Sequence, residues 1–136
     1  MIEDEYYDAG VQLRQAMWGP GTMQQITGTT EVTDKLQDIV TRFCFGDVWQ
    51  REGLSLRERS LVTVAMLIAL NRPHELRIHM EGALANGATA EELREVALQS
   101  VLYAGIPAGV GGIRTLDELL AERRPDSPLR AAAGGD

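Results

Sequence analysis

The sequence predicts an all-α fold, a bundle of about six helices, on three observations. Apolar residues recur at helical spacing over long stretches, with Gly and Pro confined mostly to the gaps between them. No run alternates apolar and polar residues as a half-buried strand does. Two capping boxes, Ser55 with Glu58 and Thr89 with Glu92, stand immediately before apolar runs, where each side chain satisfies a free backbone N–H of the other.

The first helix is expected from Glu3 to Met17, with Tyr6, Val11, Leu13 and Met17 as its apolar surface and Gly19-Pro20-Gly21 as its stop. The polar, Thr-rich segment Thr22 to Thr29 reads as a loop. Thr30 then caps a second helix through Leu36, Ile39, Val40 and Phe43, ending between Gly46 and Trp49. A connector, Gln50 to Leu54, leads to the Ser55 box and a third helix, Leu56 to Leu70, apolar nearly all round and so expected to be buried on several sides. Asn71-Arg72-Pro73 ends that helix and opens the next, Pro being tolerated at the first helical position. Leu76, Met80, Ala83 and Leu84 mark its inner stripe, and Asn86-Gly87 closes it as a C-cap. The Thr89 box opens a fifth helix with the stripe Leu93, Val96, Ala97, Ser100, Val101 and Ala104. After Gly105-Ile106-Pro107 a sixth runs from Ala108 to Leu120. Gly109, Gly111 and Gly112 each cost it roughly 1 kcal/mol relative to Ala, which points to close packing or a bend. One domain over 1–122 is expected, with a disordered tail over 123–136.

Thirteen Lys and Arg against twenty Asp and Glu give a net charge of -7, which repels phosphate backbones and anionic lipid. Neither nucleic acid nor a membrane is an expected partner. Leu61 to Leu70, the longest apolar stretch, is about half the roughly 20 residues that a membrane span needs. Cys44 is the only cysteine, so a CxxC pair and a cysteine-rich zinc site are excluded, and a reducing cytoplasm fits. Between Phe43 and Phe45 it reads as a buried small hydrophobe. His74 and His79 are five apart on different faces of their helix, so no metal site is expected.

Arg72, Glu75, His79 and Gly82 fall at i, i+3, i+7 and i+10, aligning a cation, a carboxylate and an imidazole on one helix face. Histidine titrates closest to working pH and suits proton delivery; Glu75 is placed to orient it, and Gly82 to leave room for a ligand. The same spacing also arises in solvated surface pairs worth about 0.2–0.5 kcal/mol each. Arg51 and Arg59 sit at helix ends where a cleft can form, with Trp49 as an apolar wall; taken singly, the arginines also read as surface residues and Trp49 as core. Leu98 and Leu102, off their helix's main stripe, are candidate subunit contacts.

Tyr7-Asp8-Ala9-Gly10, Gly46-Asp47-Val48-Trp49-Gln50-Arg51, Arg59-Ser60-Leu61 leading to Ala65-Met66-Leu67, Asn71-Arg72, Glu75-Leu76, His79, Asn86-Gly87 and Tyr103-Ala104-Gly105-Ile106-Pro107-Ala108 follow one another in an order that resembles the γ-carboxymuconolactone decarboxylase family. The resemblance covers roughly Tyr7 to Leu120. It implies the all-helical alkylhydroperoxidase-like fold and a homo-oligomer, a trimer or hexamer. The superfamily's redox branch uses a CxxC pair with a Glu and a His; here Arg72 and Glu75 hold the cysteine positions and Ser60 the Glu position, so dithiol peroxide reduction is excluded. The implied reaction is decarboxylation, without a cofactor, of the small acidic γ-carboxymuconolactone to β-ketoadipate enol-lactone in protocatechuate breakdown. Expected roles are His79 for the proton, Glu75 for orienting it, Arg51, Arg59 and Arg72 for the remote acetate and lactone oxygen, and Trp49 for a wall. Phe45, Ala104 and Gly109-Val110-Gly111-Gly112 depart from the family pattern. They keep open a related decarboxylation or isomerisation on another acidic carbonyl compound, and a non-catalytic oligomeric binding protein.

Overall fold

A computed structural model describes residues 3–26, 28 and 30–123, and the expected tail beyond Arg123 lies outside them. Among the described residues the regular structure is all helical: α1 (Glu3–Trp18), α2 (Thr22–Ile26), α3 (Glu31–Ile39), α4 (Leu56–Ala69), α5 (Pro73–Ala85), α6 (Ala90–Ala104) and α7 (Ile106–Arg123). A π-helical stretch, Val40–Phe45, continues α3, and a single 3₁₀ turn spans Val48–Gln50. The chain forms two compact units, Met1–Arg59 and Ser60–Asp136.

In the first unit, α1 lies against the π-helical stretch, and two glycines permit the contact. A Cβ on Gly10 would stand 2.0 Å from the Thr41 carbonyl oxygen, and one on Gly46 2.0 Å from that of Tyr6. Leu13, Met17, Phe45 and Trp49 make the core beneath. Phe45 meets Trp18 edge-on and Trp49 at a tilt of 31°, each at 5.5 Å between centroids. Arg14 is buried here as well: its Nη1 donates to Gln37 Oε1 at 3.0 Å and Thr41 Oγ1 at 3.2 Å, and its guanidinium lies 5.3 Å over the Phe45 ring. Burial pulls its pKa down, since desolvation disfavours the charged form.

That arrangement settles the direction of one apolar set and corrects two expectations. On α3 and its π-helical continuation Gln37 and Thr41 turn inward to serve Arg14, and Val40 packs on the core, while Leu36, Ile39 and Phe43 are exposed. Cys44 is exposed rather than buried, because its flanking Phe45 takes the core position. The segment expected as a loop holds α2 over Thr22–Ile26. Gly19, at φ +104°, ends α1, and the buried Thr22 hydroxyl donates to the Gly19 carbonyl at 2.6 Å, so the chain re-enters a helix within one turn.

In the second unit, α4 and α5 form a helical hairpin joined by a short turn. Asn71 at φ 55° is left-handed, and the Asn71 and Arg72 amides donate back to the Ile68 and Leu67 carbonyls at 3.1 Å each, a Schellman closure. Pro73 then starts α5. Gly87 at φ +99° closes α5 in the same way, its amide and that of Ala88 reaching Leu84 and Ala83. The Ser55–Glu58 and Thr89–Glu92 boxes form as expected. Val64, Ile68, Leu76, Met80, Ala83, Ala88, Leu93, Ala97, Leu116 and Leu119 make one core. Each fully buried Leu or Met in it contributes about 1.5–3 kcal/mol. Arg77 of α5 pairs with Glu122 of α7. α7 packs closely on α6, and it starts two residues earlier and ends three later than its spacing implied.

The third helix of the sequence is not enclosed on several sides. Val62 and Met66 of α4 and Leu70 just after it are exposed, Met66 at 59 %. Leu98, Leu102, Tyr103, Ile106 and Val110 are likewise exposed on α6 and α7. Periodicity records that a face needs covering, not that the same chain covers it.

Candidate active site

Helix α5 carries the three aligned residues. Arg72 stands at its N-cap, with an exposed side chain that makes no cap of its own; Glu75 is exposed in the first turn; His79 is half-buried one turn further on. The helical register therefore places Glu75 and His79 on one face, with Arg72 at its head, as the spacing implied. The Nδ1 edge of His79 is closed to solvent, so the ring is anchored against protein rather than waving in water. The neighbouring Leu76, Met80 and Ala83 are core residues, and this burial fixes the rotation of α5. Gly82 is buried on the same face. His74 is exposed.

Arg72 also lines a crevice of about 30 Å³ with Asn71, Pro73, Leu76, Gly111, Gly112 and other residues of the unit, room for about one water molecule. A wider groove of about 440 Å³ in this unit runs between α4 and α6 and is lined by Ala65, Ala69, Val96, Ser100, Tyr103 and Ala104 among others. The sequence-predicted residues are not among those lining that groove.

In the first unit, Arg51 and Arg59 are brought together: Arg59 Nη2 donates to the Arg51 carbonyl at 3.1 Å, folding the connector back on the start of α4. The Arg51 side chain is exposed and Arg59 is half-buried. Trp49 belongs to the core, with its ring against Phe45. The groove of about 440 Å³ in this unit is lined by Tyr6, Lys35, Asp38, Ile39, Arg42, Phe43 and Asp47, none of them singled out from the sequence. In it Arg42 pairs with Asp38 at 2.9 Å.

Two features were not legible as a site in the sequence. Arg14 sits mid-helix, and nothing nearby in the sequence marks it as buried. Ser60 and Asn86, read as part of an apolar run and as a helix stop, are joined by a hydrogen bond: Asn86 Nδ2 donates to Ser60 Oγ at 3.0 Å. No group of three or more His, Cys, Asp or Glu side chains among the described residues is placed to hold a metal ion. No helix among them is long and apolar enough to cross a membrane.

Comparison with known proteins adds a second line of observation. The Carboxymuconolactone decarboxylase family matches residues 34–118. A 4-carboxymuconolactone decarboxylase from Acinetobacter baylyi is 34 % identical over 123 residues, which cover 90 % of this chain and 92 % of that protein. A nitrosuccinic acid decarboxylase from Metarhizium robertsii is 30 % identical over 129 residues, 89 % of this chain and 90 % of that protein. Both alignments span α5 and its Arg72/Glu75/His79 face. An all-helical architecture, an ordered set of family motifs and two full-length relatives converge: this chain belongs to the carboxymuconolactone decarboxylase family.

Proposed function

We propose that the protein is a carboxy-lyase acting on a small acidic compound that carries its own electron sink, with 4-carboxymuconolactone as the substrate. The observation that carries the reading is the half-buried His79 on the same α5 face as Glu75, with Arg72 at its head, in a chain 34 % identical to a decarboxylase of that compound.

The chemistry needs no cofactor. The carbon–carbon bond to the departing carboxylate breaks, and its electron pair flows into the conjugated lactone carbonyl to give a dienolate. A proton then adds to carbon as carbon dioxide leaves. The protein has to hold the dianion, stabilise the developing oxyanion and supply the proton. Arg72 is assigned to an anionic oxygen, His79 to the proton and Glu75 to orienting the imidazole. The roles of Arg51, Arg59 and Trp49 in binding rest on the family resemblance, and individual substitutions test them through KM. A firm grip on the leaving carboxylate would stabilise the ground state and slow the reaction, so that group belongs against apolar surface.

The direct test is release of carbon dioxide from 4-carboxymuconolactone generated enzymatically, using purified, folded protein. Release at no more than the background rate defeats the assignment. A second reading is a related decarboxylation, supported by the similarity to a nitrosuccinic acid decarboxylase. A nitro group is also an electron sink, so the same proton-delivering face serves either substrate. Turnover of nitrosuccinate in preference to the lactone selects this reading. Saturable binding of either compound with no turnover selects a binding protein instead.

The working form is proposed to be a homo-oligomer, a trimer or hexamer in the cytoplasm. Support comes from three exposed apolar stripes: Leu36, Ile39 and Phe43; Val62, Met66 and Leu70; Leu98 and Leu102. Such surface is uncommon on a monomer and is characteristic of subunit contacts. Light scattering at micromolar concentration tests this, and a monomer mass refutes it.

A further inference from the structure

We propose that Ser60 and Asn86 form a positioning pair that sets the orientation of His79, an inference that rests on the catalytic assignment of that imidazole. Ser60 heads the buried stripe of α4, Ser60, Val64 and Ile68, and is 1 % exposed. The other two members are apolar core residues, and a hydroxyl among them is costly to bury unless it is hydrogen-bonded. Asn86 Nδ2 supplies that bond at 3.0 Å.

Stability alone gives little reason for the pair. A buried neutral hydrogen bond adds about 1 kcal/mol net, and replacing both partners with apolar groups of similar shape is close to neutral. Its geometry gives a better reason. The α4–α5 hairpin is closed at one end by the Leu70–Arg72 turn, and the Ser60–Asn86 bond ties the opposite end. Core burial sets which side of α5 faces inward, and the two fixed points limit how far its far end shifts against α4. Asn86 follows His79 by seven residues, two helical turns, so the bonded side chain lies on the face that carries the imidazole. The intervening residue on that face, Gly82, has no side chain with which to hold the register. A displacement of this end of α5 by about 1 Å is small enough for neighbouring side chains to absorb, yet it moves the ring off its line to the substrate. Errors of about 1 Å in such alignment cost up to about a hundredfold in rate.

The experiment compares Ser60→Ala, Asn86→Leu and the double variant with the wild type. Rates are taken per folded molecule, well below each melting temperature. The expected result is a fall in kcat of roughly 10- to 100-fold with KM within about twofold, and a double variant no worse than the single ones, because one interaction has been removed in all three. Nitrogen-15 spectra of the imidazoles give a reading independent of substrate: the His79 ring signals move in all three variants, while those of the exposed His74, identified through His74→Gln, stay in place. A wild-type kcat with an unmoved His79 ring, whatever the loss in melting temperature, makes the pair structural only and overturns the proposal. If the wild type turns over neither acid, the assigned reaction has failed, and the imidazole spectra still decide whether the pair orients the ring.

Discussion

The three glycines of α7 offer a test in which one substitution has opposite signs a few residues apart. Gly→Ala in a helix interior gains about 1 kcal/mol of intrinsic propensity when the methyl meets nothing. At Gly111 an added Cβ has no heavy atom within 4 Å, so Gly111→Ala should stabilise by about 0.5–1 kcal/mol. At Gly109 the same methyl would stand 2.2 Å from Val101 Cγ2 and 3.1 Å from the Ala97 carbonyl oxygen. Valine is stiff about χ1 in a helix, and the carbonyl moves only if α6 moves, so the overlap is relieved by separating α6 from α7. Overpacking of this kind costs about 1–3 kcal/mol. A 2.2 Å approach belongs in the upper part of that range, about 2–3 kcal/mol, so after the propensity gain Gly109→Ala should destabilise by about 1–2 kcal/mol. Gly112→Ala lies between, since its nearest neighbour is the flexible Ile68 Cδ1 at 2.9 Å. Urea unfolding of the three variants resolves these values, and thermal melts should place Gly111→Ala about 2–6 °C above the wild type. A destabilised Gly111→Ala, or a Gly109→Ala as stable as the wild type, would refute the packing account of this glycine-rich helix.

Other consequences follow from single groups. His79→Ala should lower kcat about a hundredfold or more if the imidazole delivers the proton; a rate near wild type in a steady-state assay removes it from that role. Arg14→Ala should cost about 2–4 kcal/mol, because it empties space beneath Phe45 and strips a donor from Gln37 and Thr41. Arg14→Met keeps the apolar stem without the desolvated charge and should fall within about 1 kcal/mol of wild type; equal losses in chemical denaturation would count against this. Glu58 is held below the ordinary carboxylate range by the Ser55 backbone N–H first and the Ser55 hydroxyl second. A depressed acid contributes stability above its unfolded pKa and loses it as pH falls through the folded value. The start of α4 should therefore fray on acidification, seen as lost hydrogen-exchange protection at the Ser55 amide, and Glu58→Gln should respond less to pH.

What the sequence revealed and what it concealed divide along the range of the interactions. Helix ends were legible because a cap is settled within a few residues: Ser55 with Glu58, Thr89 with Glu92 and Gly87 all lie beside the backbone groups they satisfy or terminate. The α5 face was legible because its helical register is fixed once the helix is. Ser60 and Asn86 are 26 residues apart, and only the hairpin brings them together. Arg14 was hidden for a similar reason, its acceptors Gln37 and Thr41 lying 23 and 27 residues along the chain. The direction of the apolar residues on α3 was not legible either, because Gln37 and Thr41, needed by a buried arginine, take inward positions.

The net charge of -7 raised a difficulty for any anionic substrate, and α5 supplies a local answer. At physiological ionic strength surface charges are screened beyond about 8 Å, so the acidic residues scattered over the rest of the surface weigh little on a molecule already in contact with α5. In the proposed site that molecule meets the start of a helix, where the backbone carries about half a positive charge from amides that no intrahelical carbonyl accepts. Pro73 contributes no N–H, and Arg72 makes no side-chain cap over the amides that follow. The guanidinium of Arg72 adds a full positive charge at the same end. Glu75 offsets part of this field, and in its proposed partnership with His79 the carboxylate accepts a hydrogen bond from the ring, which leaves it less free to repel a substrate anion. A protein can thus remain acidic overall while the few ångströms proposed to touch the substrate are positive, with the proposed proton donor, His79, one helical turn beyond Glu75.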